Sequence, residues 1–548
     1  MIPTPPAKPL RFVEPVNPIS VAEALTAFAA PAGRACRVQI LRPFGVYSRR
    51  SYSSIVTLPI GPAYLAAVLE QAGYGVEIID GMGEAVDSLR ISDDGRFKIQ
   101  GLSAAQILSR IDPRATVLGV SLMFSQEWPH QRDLIARIKH AYPQLIIVVG
   151  GEHATAVPEL VLRTCPAITY LVRGEGELTF LQLVSAIFRN QDPHGIGGLC
   201  FLDRDGAFVA NGLSKRIADV DSLPYPAWHL CKVDNYFSGH FSQGISYGRN
   251  MPVLATRGCP YQCTFCSNPF MWTTRYIMRD PARVVDEIQH LIDTYKIDCI
   301  DFTDLTAIVK KDWTLAFCRE LLRRNIKITW QLPTGTRSEA LDRETLQAIY
   351  DTGCSFLVYA PESASQATLD LIKKRLRIGN IAKSVLQALR VGHTVKINFI
   401  IGFPHEKRWG VMQTLWFAWR MGIRGVNDCN IAIYTPYPGS ESFDEMRRAG
   451  VIKDLDDEYF HSLLIQFDFT ILKSVSRNMS GWELGLYRVL GMGVFYALSY
   501  GVRPTRLIRL LRGVLRRDFQ AQNLFEQRVH DYIVRVRMLR KRSSRSAV

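Results

Sequence analysis

No apolar run in this 548-residue sequence is long enough to cross a membrane. An uncharged apolar stretch in the C-terminal region, Val489 to Val502, has 14 residues, against about 20 for a spanning helix. The first residues, MIPTPPAKPLRFVEP, lack a charged segment followed by an apolar core, so no secretory signal is expected. Cysteine is sparse. There are eleven, eight of them scattered singly, too few for a disulfide framework. Broad basic character is missing as well. Of the formal net charge of +15, +12 lies in residues 471–548, where 16 Lys+Arg face 4 Asp+Glu, leaving +3 for the first 470 residues. That distribution argues against a uniformly basic nucleic-acid-binding protein. The tail also lacks aromatics arranged as a stacking surface for single strands. No nucleic-acid partner is expected, and the expected location is cytoplasmic.

What is there is an ordinary globular composition, 47% apolar and 21% charged, with room for three or four domains of about 100–200 residues each. Residues 1–35 form a proline-rich lead-in. From 36 to 190, short β-branched runs (Cys36–Pro43, Val76–Asp80, Thr116–Leu122, Leu145–Gly151, Ala167–Arg173) alternate with helical patterns. Such alternation predicts an α/β, doubly wound (Rossmann-like) domain with its ligand beyond the carboxyl ends of the strands. Residues 191–245 show weak periodicity and read as a linker. A second alternation, over 246–470, has strands at Val253–Arg257, Cys299–Asp304, Ile328–Leu332, Phe356–Ala360, Val395–Ile401 and Cys429–Tyr434. Six βα steps fit a partial (β/α)6 barrel with its site at the carboxyl ends of the strands. Residues 471–548 form a basic helical C-terminal region.

The loop after the first barrel strand reads Arg257-Gly-Cys259-Pro-Tyr-Gln-Cys263-Thr-Phe265-Cys266, a C-x3-C-x2-C spacing. Structural zinc sites usually combine paired C-x2-4-C elements. No second pair exists, and His240 and His290 lack ligand-like spacing. Iron–sulfur clusters are normally held by four thiolates. Three on one short loop can hold three irons of a cubane and leave the fourth open. Zinc stays the alternative reading of the cysteines alone.

The spacing, its place after a barrel strand and Phe265 before the third cysteine resemble the radical S-adenosylmethionine (SAM) superfamily. The resemblance implies a [4Fe-4S] cluster on Cys259, Cys263 and Cys266. It also implies SAM chelated at the open iron and an external electron donor. Asp304 in IDFTD, Glu362 and Ser363 in YAPES, and Gly402 in NFIIGFP match the family's SAM-contacting positions less tightly. Strand-end acids such as Asp304 and Glu362 are equally often helix caps. The first domain carries TLPIGPAYLA, Gly150-Gly151-Glu-His153-Ala-Thr155 and Gly174-Glu175-Gly176-Glu177. Together these resemble the cobalamin-binding domain that precedes many radical SAM barrels, so Gly150, Gly151, His153, Thr155, Glu175 and Gly176 are expected near a corrin. The likeness spans about residues 36–470. One departure matters. The loop after the first strand, RPFGVYSRRSYSS, lacks the D-x-H-x-x-G that places histidine on cobalt, so an open or water-bound lower face is expected. Tyr47, Arg49 and Arg50 on that loop either line the lower face or form solvated surface.

The resemblance implies C-methylation. A 5′-deoxyadenosyl radical abstracts hydrogen from an unactivated carbon, and methylcobalamin delivers the methyl group. The implied substrate is a small molecule, a lipid or a tetrapyrrole. Two rivals use the same domains: an oxidative cyclase or rearrangement enzyme without methyl transfer, such as the anaerobic magnesium-protoporphyrin ester cyclase, and a non-catalytic corrinoid or cluster sensor. In the tail, Arg506, Arg509, Arg512 and Arg516 recur every three or four residues, with Leu507, Ile508, Leu510, Leu511, Val514 and Leu515 filling the other face. This basic amphipathic helix is expected either to contact a membrane peripherally or to pack its apolar face on the barrel with solvated arginines outside.

Overall fold

The computed structural model describes residues 20–33, 35–51, 56–239, 241–515, 523 and 525–529. The first unit is a seven-stranded sheet built on β1 (Arg37–Arg42), β2 (Gly75–Asp80), β3 (Val117–Ser121), β4 (Ile146–Gly150), β5 (Tyr170–Val172), β6 (Leu199–Leu202) and β7 (Phe208–Ala210), in the order β7-β6-β5-β4-β3-β1-β2. β1 to β5 are parallel. Their central residues, such as Ile40, Leu118, Ile147 and Leu171, are buried on both faces because helices cover both sides. The order reverses between β1 and β3, which opens a crevice above their carboxyl ends.

Two differences from the sequence expectation lie here. The stretch read as linker contributes β6 and β7, which extend the sheet antiparallel at its edge. Gly45–Ser48, read as loop, is a strand pairing with Phe97–Gln100 in a small antiparallel sheet. The helix at Val233–Ser238 folds back on the first unit, whereas Ser242 and Ile245 bond to Asp301 and Gln331 of the second. Tyr236 donates to Asp80 at 2.7 Å and accepts from Arg42 at 2.6 Å, and Asn235 donates to the Gly83 carbonyl.

The second unit is a six-stranded parallel sheet in sequential order: β8 (Asn250–Val253), β9 (Cys299–Phe302), β10 (Thr329–Thr336), β11 (Cys354–Glu362), β12 (Thr394–Ile401) and β13 (Asp428–Ile433). Sequential parallel order with helical crossovers is the topology of a half-closed barrel. Its first strand ends earlier than expected. After Val253 the chain turns, and Thr256–Arg257 pairs antiparallel with Ile277–Met278 instead.

Beyond β12 runs α1 (Arg408–Arg424), and α2 (Gly481–Val502) lies beside it, capped by Ser480, whose hydroxyl accepts from the Glu483 amide. Gly491 lets α2 approach the barrel closely, since a Cβ there would stand 2.5 Å from Ile431 Cδ1. The basic helix, α3 (Pro504–Leu515), follows. It inverts the arrangement expected for packing on the barrel. Arg506 is the buried residue, while Leu507, Ile508 and Leu511 are exposed. The reason is local. The Arg506 guanidinium donates to the carbonyls of Gly425 and Val426, left open where α1 ends, and to Ser499 Oγ. Arg516 lies outside the described residues. No helix among the described residues is long and apolar enough to cross a membrane.

Candidate functional site

The cysteine loop hangs from a strand fixed by a buried carboxylate. Asp304, just past β9, accepts from the Ala255 amide at 3.2 Å, from the Thr256 amide and from Thr256 Oγ1 at 2.5 Å. Burial pushes its pKa up to about 6, against the opposing bonds from Thr256 and Ala255. It is neither a helix cap nor an open group. Its oxygens hold the backbone that leads into Gly258-Cys259.

Cys259, Cys263 and Cys266 are half-buried, whereas the other eight cysteines are buried. The Cys266 amide donates to the Cys263 carbonyl at 3.1 Å, closing the loop into a turn. Burial raises all three thiols, Cys266 to about 12, so ligation must displace protons. Two cations oppose this at Cys259 and Cys263, namely Lys374 and Arg337. Among the described residues no three His, Cys, Asp or Glu side chains converge on a single-ion site. Three accessible thiols with facing cations, and no fourth, suit an iron–sulfur cubane with one open iron.

Glu362, at the end of β11, sits in the left-handed region at φ 67°, a conformation that costs a non-glycine residue on the order of 1–3 kcal/mol. Its carboxylate pairs with Lys374 Nζ at 2.8 Å. Burial works against the Lys374 charge, yet Glu362 and Cys263 hold its pKa above the ordinary lysine value. Lys374 Nζ also lies 5.6 Å from the Phe265 ring centre, and Phe265 packs on Phe403 beside Gly402. Glu362, Phe265 and Gly402 are thus brought together by side chains at the carboxyl ends of β11 and β12. Ser363 faces away from this group, bonded to Thr414 on α1. Thr303, Thr306 and Asn398, in or just beyond strands β9 and β12, each carry a buried side-chain oxygen without a protein partner. Such unspent polar atoms fit a polar cofactor.

Across the crevice, the carboxyl ends of β1, β3 and β4 meet. Gly151 adopts φ 106°, and a Cβ there would lie 2.6 Å from the Leu122 carbonyl oxygen. Only glycine allows that turn. Met123 and Phe124, just beyond β3, are large apolar residues left exposed, a surface that fits the face of a bulky apolar macrocycle. His153 is fully buried between Trp128 and Phe460, with Nδ1 3.0 Å from Ser125 Oγ. Burial lowers its pKa to about 3, so it is a neutral packing residue. Thr155 Oγ1 accepts from the Gly174 amide at 3.0 Å and ties the β4 and β5 loops together. A Cβ on Gly176 would stand 3.2 Å from Leu65. Arg49 and Arg50 are exposed, Arg49 donating to the Gly95 carbonyl at 3.3 Å.

The two halves of the site touch. Glu152, beside the Gly150–Gly151 turn, accepts from Ser267 Oγ, one residue past Cys266. Glu175 pairs with Arg257 at 3.0 Å and Arg216 at 2.6 Å, and Glu177 pairs with Arg257 at 2.7 Å. Both oxygens of Glu175 are thereby taken by arginines, one of them two residues before Cys259. Sequence reasoning missed Lys374, Arg337, Ser267 and Arg257. Only Arg257 carried a signal, an arginine abutting the cysteine motif.

A model of the B12 binding domain matches residues 54–184, and a model of the radical SAM superfamily matches residues 253–418. An uncharacterized methyltransferase from Pyrococcus horikoshii is 31% identical over 388 residues, 70% of this chain and 78% of that protein. The anaerobic magnesium-protoporphyrin IX monomethyl ester cyclase of Rubrivivax gelatinosus is 28% identical over 71% of this chain and 66% of its own. Among solved structures, the radical S-adenosylmethionine methyltransferase TsrM from Kitasatospora setae, with cobalamin and a [4Fe-4S] cluster bound, superposes with a TM-score of 0.60. It is 16% identical, over 85% of this chain and 89% of that one.

Proposed function

The chain belongs to the radical SAM family whose barrel follows a B12-binding domain, and on that premise we propose that it methylates an unactivated carbon of a small-molecule, lipid or tetrapyrrole substrate. The observation that carries this reading is the contact between the two halves of the site. The cysteine loop, through Ser267 and Arg257, bears directly on the strand-end loops of the first unit at Glu152, Glu175 and Glu177. Two candidate cofactor sites whose loops contact one another support one reaction that uses both. When bound, the cluster with SAM supplies a radical able to break an inert C–H bond, and the corrinoid supplies a methyl group.

The chain's own residues bind, orient and exclude water. Cys259, Cys263 and Cys266 hold the cluster, with Lys374 and Arg337 balancing thiolate charge. Asp304 fixes the strand that delivers them, and Glu362, Phe265 and Gly402 form the wall on the SAM side, with Ser363 bonded behind it to Thr414. Gly150 and Gly151 would let the backbone approach a corrin, the exposed Met123 and Phe124 would offer it an apolar surface, and Thr155 and Gly176 shape the adjoining loops. His153, buried between Trp128 and Phe460 and bonded to Ser125, would support the loop beside the corrin. Glu175 serves the joint between the two units.

The test is anaerobic SAM product analysis of the reconstituted enzyme with a strong reductant. Methylated product should accompany both 5′-deoxyadenosine and S-adenosylhomocysteine. Deoxyadenosine without homocysteine product would assign cyclisation or rearrangement instead. Intact SAM would leave only a cofactor-binding protein.

A further inference from the structure

α1 and α2 lie side by side on the outside of the barrel. Arg408 pairs with Glu483 at 2.6 and 2.9 Å near their starts, and Trp419 Nε1 donates to the Gly491 carbonyl at 3.1 Å. Farther along, Gly422 backs onto Phe495. Their inner faces are conventional, with Val411, Leu415, Ala418 and Met421 on α1 and Leu484, Met492 and Phe495 on α2 all buried. The outer face is not. Trp409 is 72% exposed, Trp416 61% and Trp482 67%.

Met412 and Ile423 continue the α1 row at helical spacing, and Leu486, Val489 and Leu490 continue that of α2, all exposed. α3 adds Leu507, Ile508 and Leu511, turned outward because Arg506 is anchored inward. A row of exposed apolar residues on these three helices exceeds the scattered exposure normal for a monomer.

The charges around this face select its occupant. From Arg408 to Arg424 the chain has three arginines and no carboxylate. From Gly481 to Leu515 it has five arginines, of which Arg488 and Arg506 are buried, and one carboxylate, Glu483, which is paired with Arg408. Arg420, Arg424 and Arg512 are exposed beside the apolar rows. A second copy of the chain would bring the same arginines against these, and like charges facing across an interface are costly. An anionic bilayer meets every requirement. Tryptophans prefer the headgroup layer, aliphatic side chains enter the acyl boundary, and the exposed Arg420, Arg424 and Arg512 find lipid phosphate. We propose that the outer face of α1, α2 and α3 docks on the headgroup layer of an anionic membrane, with the chain lying on the bilayer and not crossing it.

Vesicle flotation of the full-length holoprotein tests this, comparing phosphatidylcholine alone with phosphatidylcholine containing one third phosphatidylglycerol. The wild type should partition at least about tenfold more strongly to the anionic vesicles, and added salt should weaken that preference. The double variant Trp416→Glu with Leu490→Glu should lose about tenfold or more, with cluster absorbance and thermal midpoint unchanged, since both side chains are already exposed. Arg420→Gln with Arg424→Gln should reduce only the preference for anionic lipid. Failure of the wild type to float, or equal flotation of the Trp416/Leu490 variant, overturns the proposal. So does light scattering that shows this variant splitting a wild-type oligomer, which would assign the face to a second copy.

Discussion

Arg257 and Glu175, 82 positions apart in the sequence, meet at 3.0 Å with both side chains almost wholly buried. Arg257 also reaches Glu177, and Glu175 also reaches Arg216. The guanidinium of Arg216 in turn donates to the Trp272 carbonyl beyond the cysteine loop. Four buried charges thus join the first unit to both sides of the loop. Replacing such a network by apolar residues can be neutral, but removing one partner strands the others.

Arg257→Gln should therefore cost about 3–5 kcal/mol, seen as a lower denaturant midpoint. Glu175→Gln should cost less, because Glu177 still engages Arg257. A double-mutant cycle should return a coupling energy above about 1 kcal/mol. Additive effects would mean that the pair is not a linkage between the units.

Each of Cys259→Ala, Cys263→Ala and Cys266→Ala should abolish cluster binding, measured as iron and sulfide per chain. Cys299→Ala and Cys429→Ala should retain full iron, since those thiols are buried in β9 and β13. The two core variants should instead lose stability through the small cavity left behind.

Local patterns made the cysteine loop, the Gly150–Gly151 turn and most of the sheet strands readable in the sequence, because thiol spacing and strand periodicity need no distant partner. What escaped reading depends on partners far along the chain. Gly45–Ser48 is a strand only because Phe97–Gln100 pairs with it. Lys374 sits in Lys-Lys-Arg-Leu-Arg, which resembles a solvated basic run. It is instead turned inward by a backbone that puts Lys373 and Arg375 at φ 53° and 49°. The amphipathic pattern of α3 was visible, but not which face would pack, since that choice is made by the open carbonyls of Gly425 and Val426.

Lys374 faces Cys259 and Cys263 as a largely buried cation. Removing it in Lys374→Met takes positive charge away from the cluster and leaves Glu362 without its ion pair. The reduction potential should fall by an amount on the order of tens of millivolts, with slower reductive SAM cleavage. Lys374→Arg, which keeps the charge, should recover most of the potential. A potentiometric titration followed by electron paramagnetic resonance reads both variants. An unchanged potential in Lys374→Met would confine Lys374 to a packing role.

Glu406 offers a pH signature separate from the cysteines. It accepts from the Gly402 amide at 2.7 Å and from Thr368 Oγ1 at 3.3 Å, shaping the turn that carries Phe403 onto Phe265. Burial pushes its pKa up to about 7, the bonds from Gly402, Phe403 and Thr368 offsetting only part of that rise. A carboxyl whose folded pKa exceeds its unfolded value binds more protons when folded, so its contribution to stability is full below about pH 4.5 and is lost as pH rises through 7. Glu406→Gln keeps an acceptor for Gly402 without a titrating proton. The variant should match the wild type near pH 4.5 and exceed it at pH 8 by an amount on the order of 3 kcal/mol. Denaturant midpoints across that range check the sign, and a variant less stable than the wild type at pH 8 would show that Glu406 is needed there as an anion.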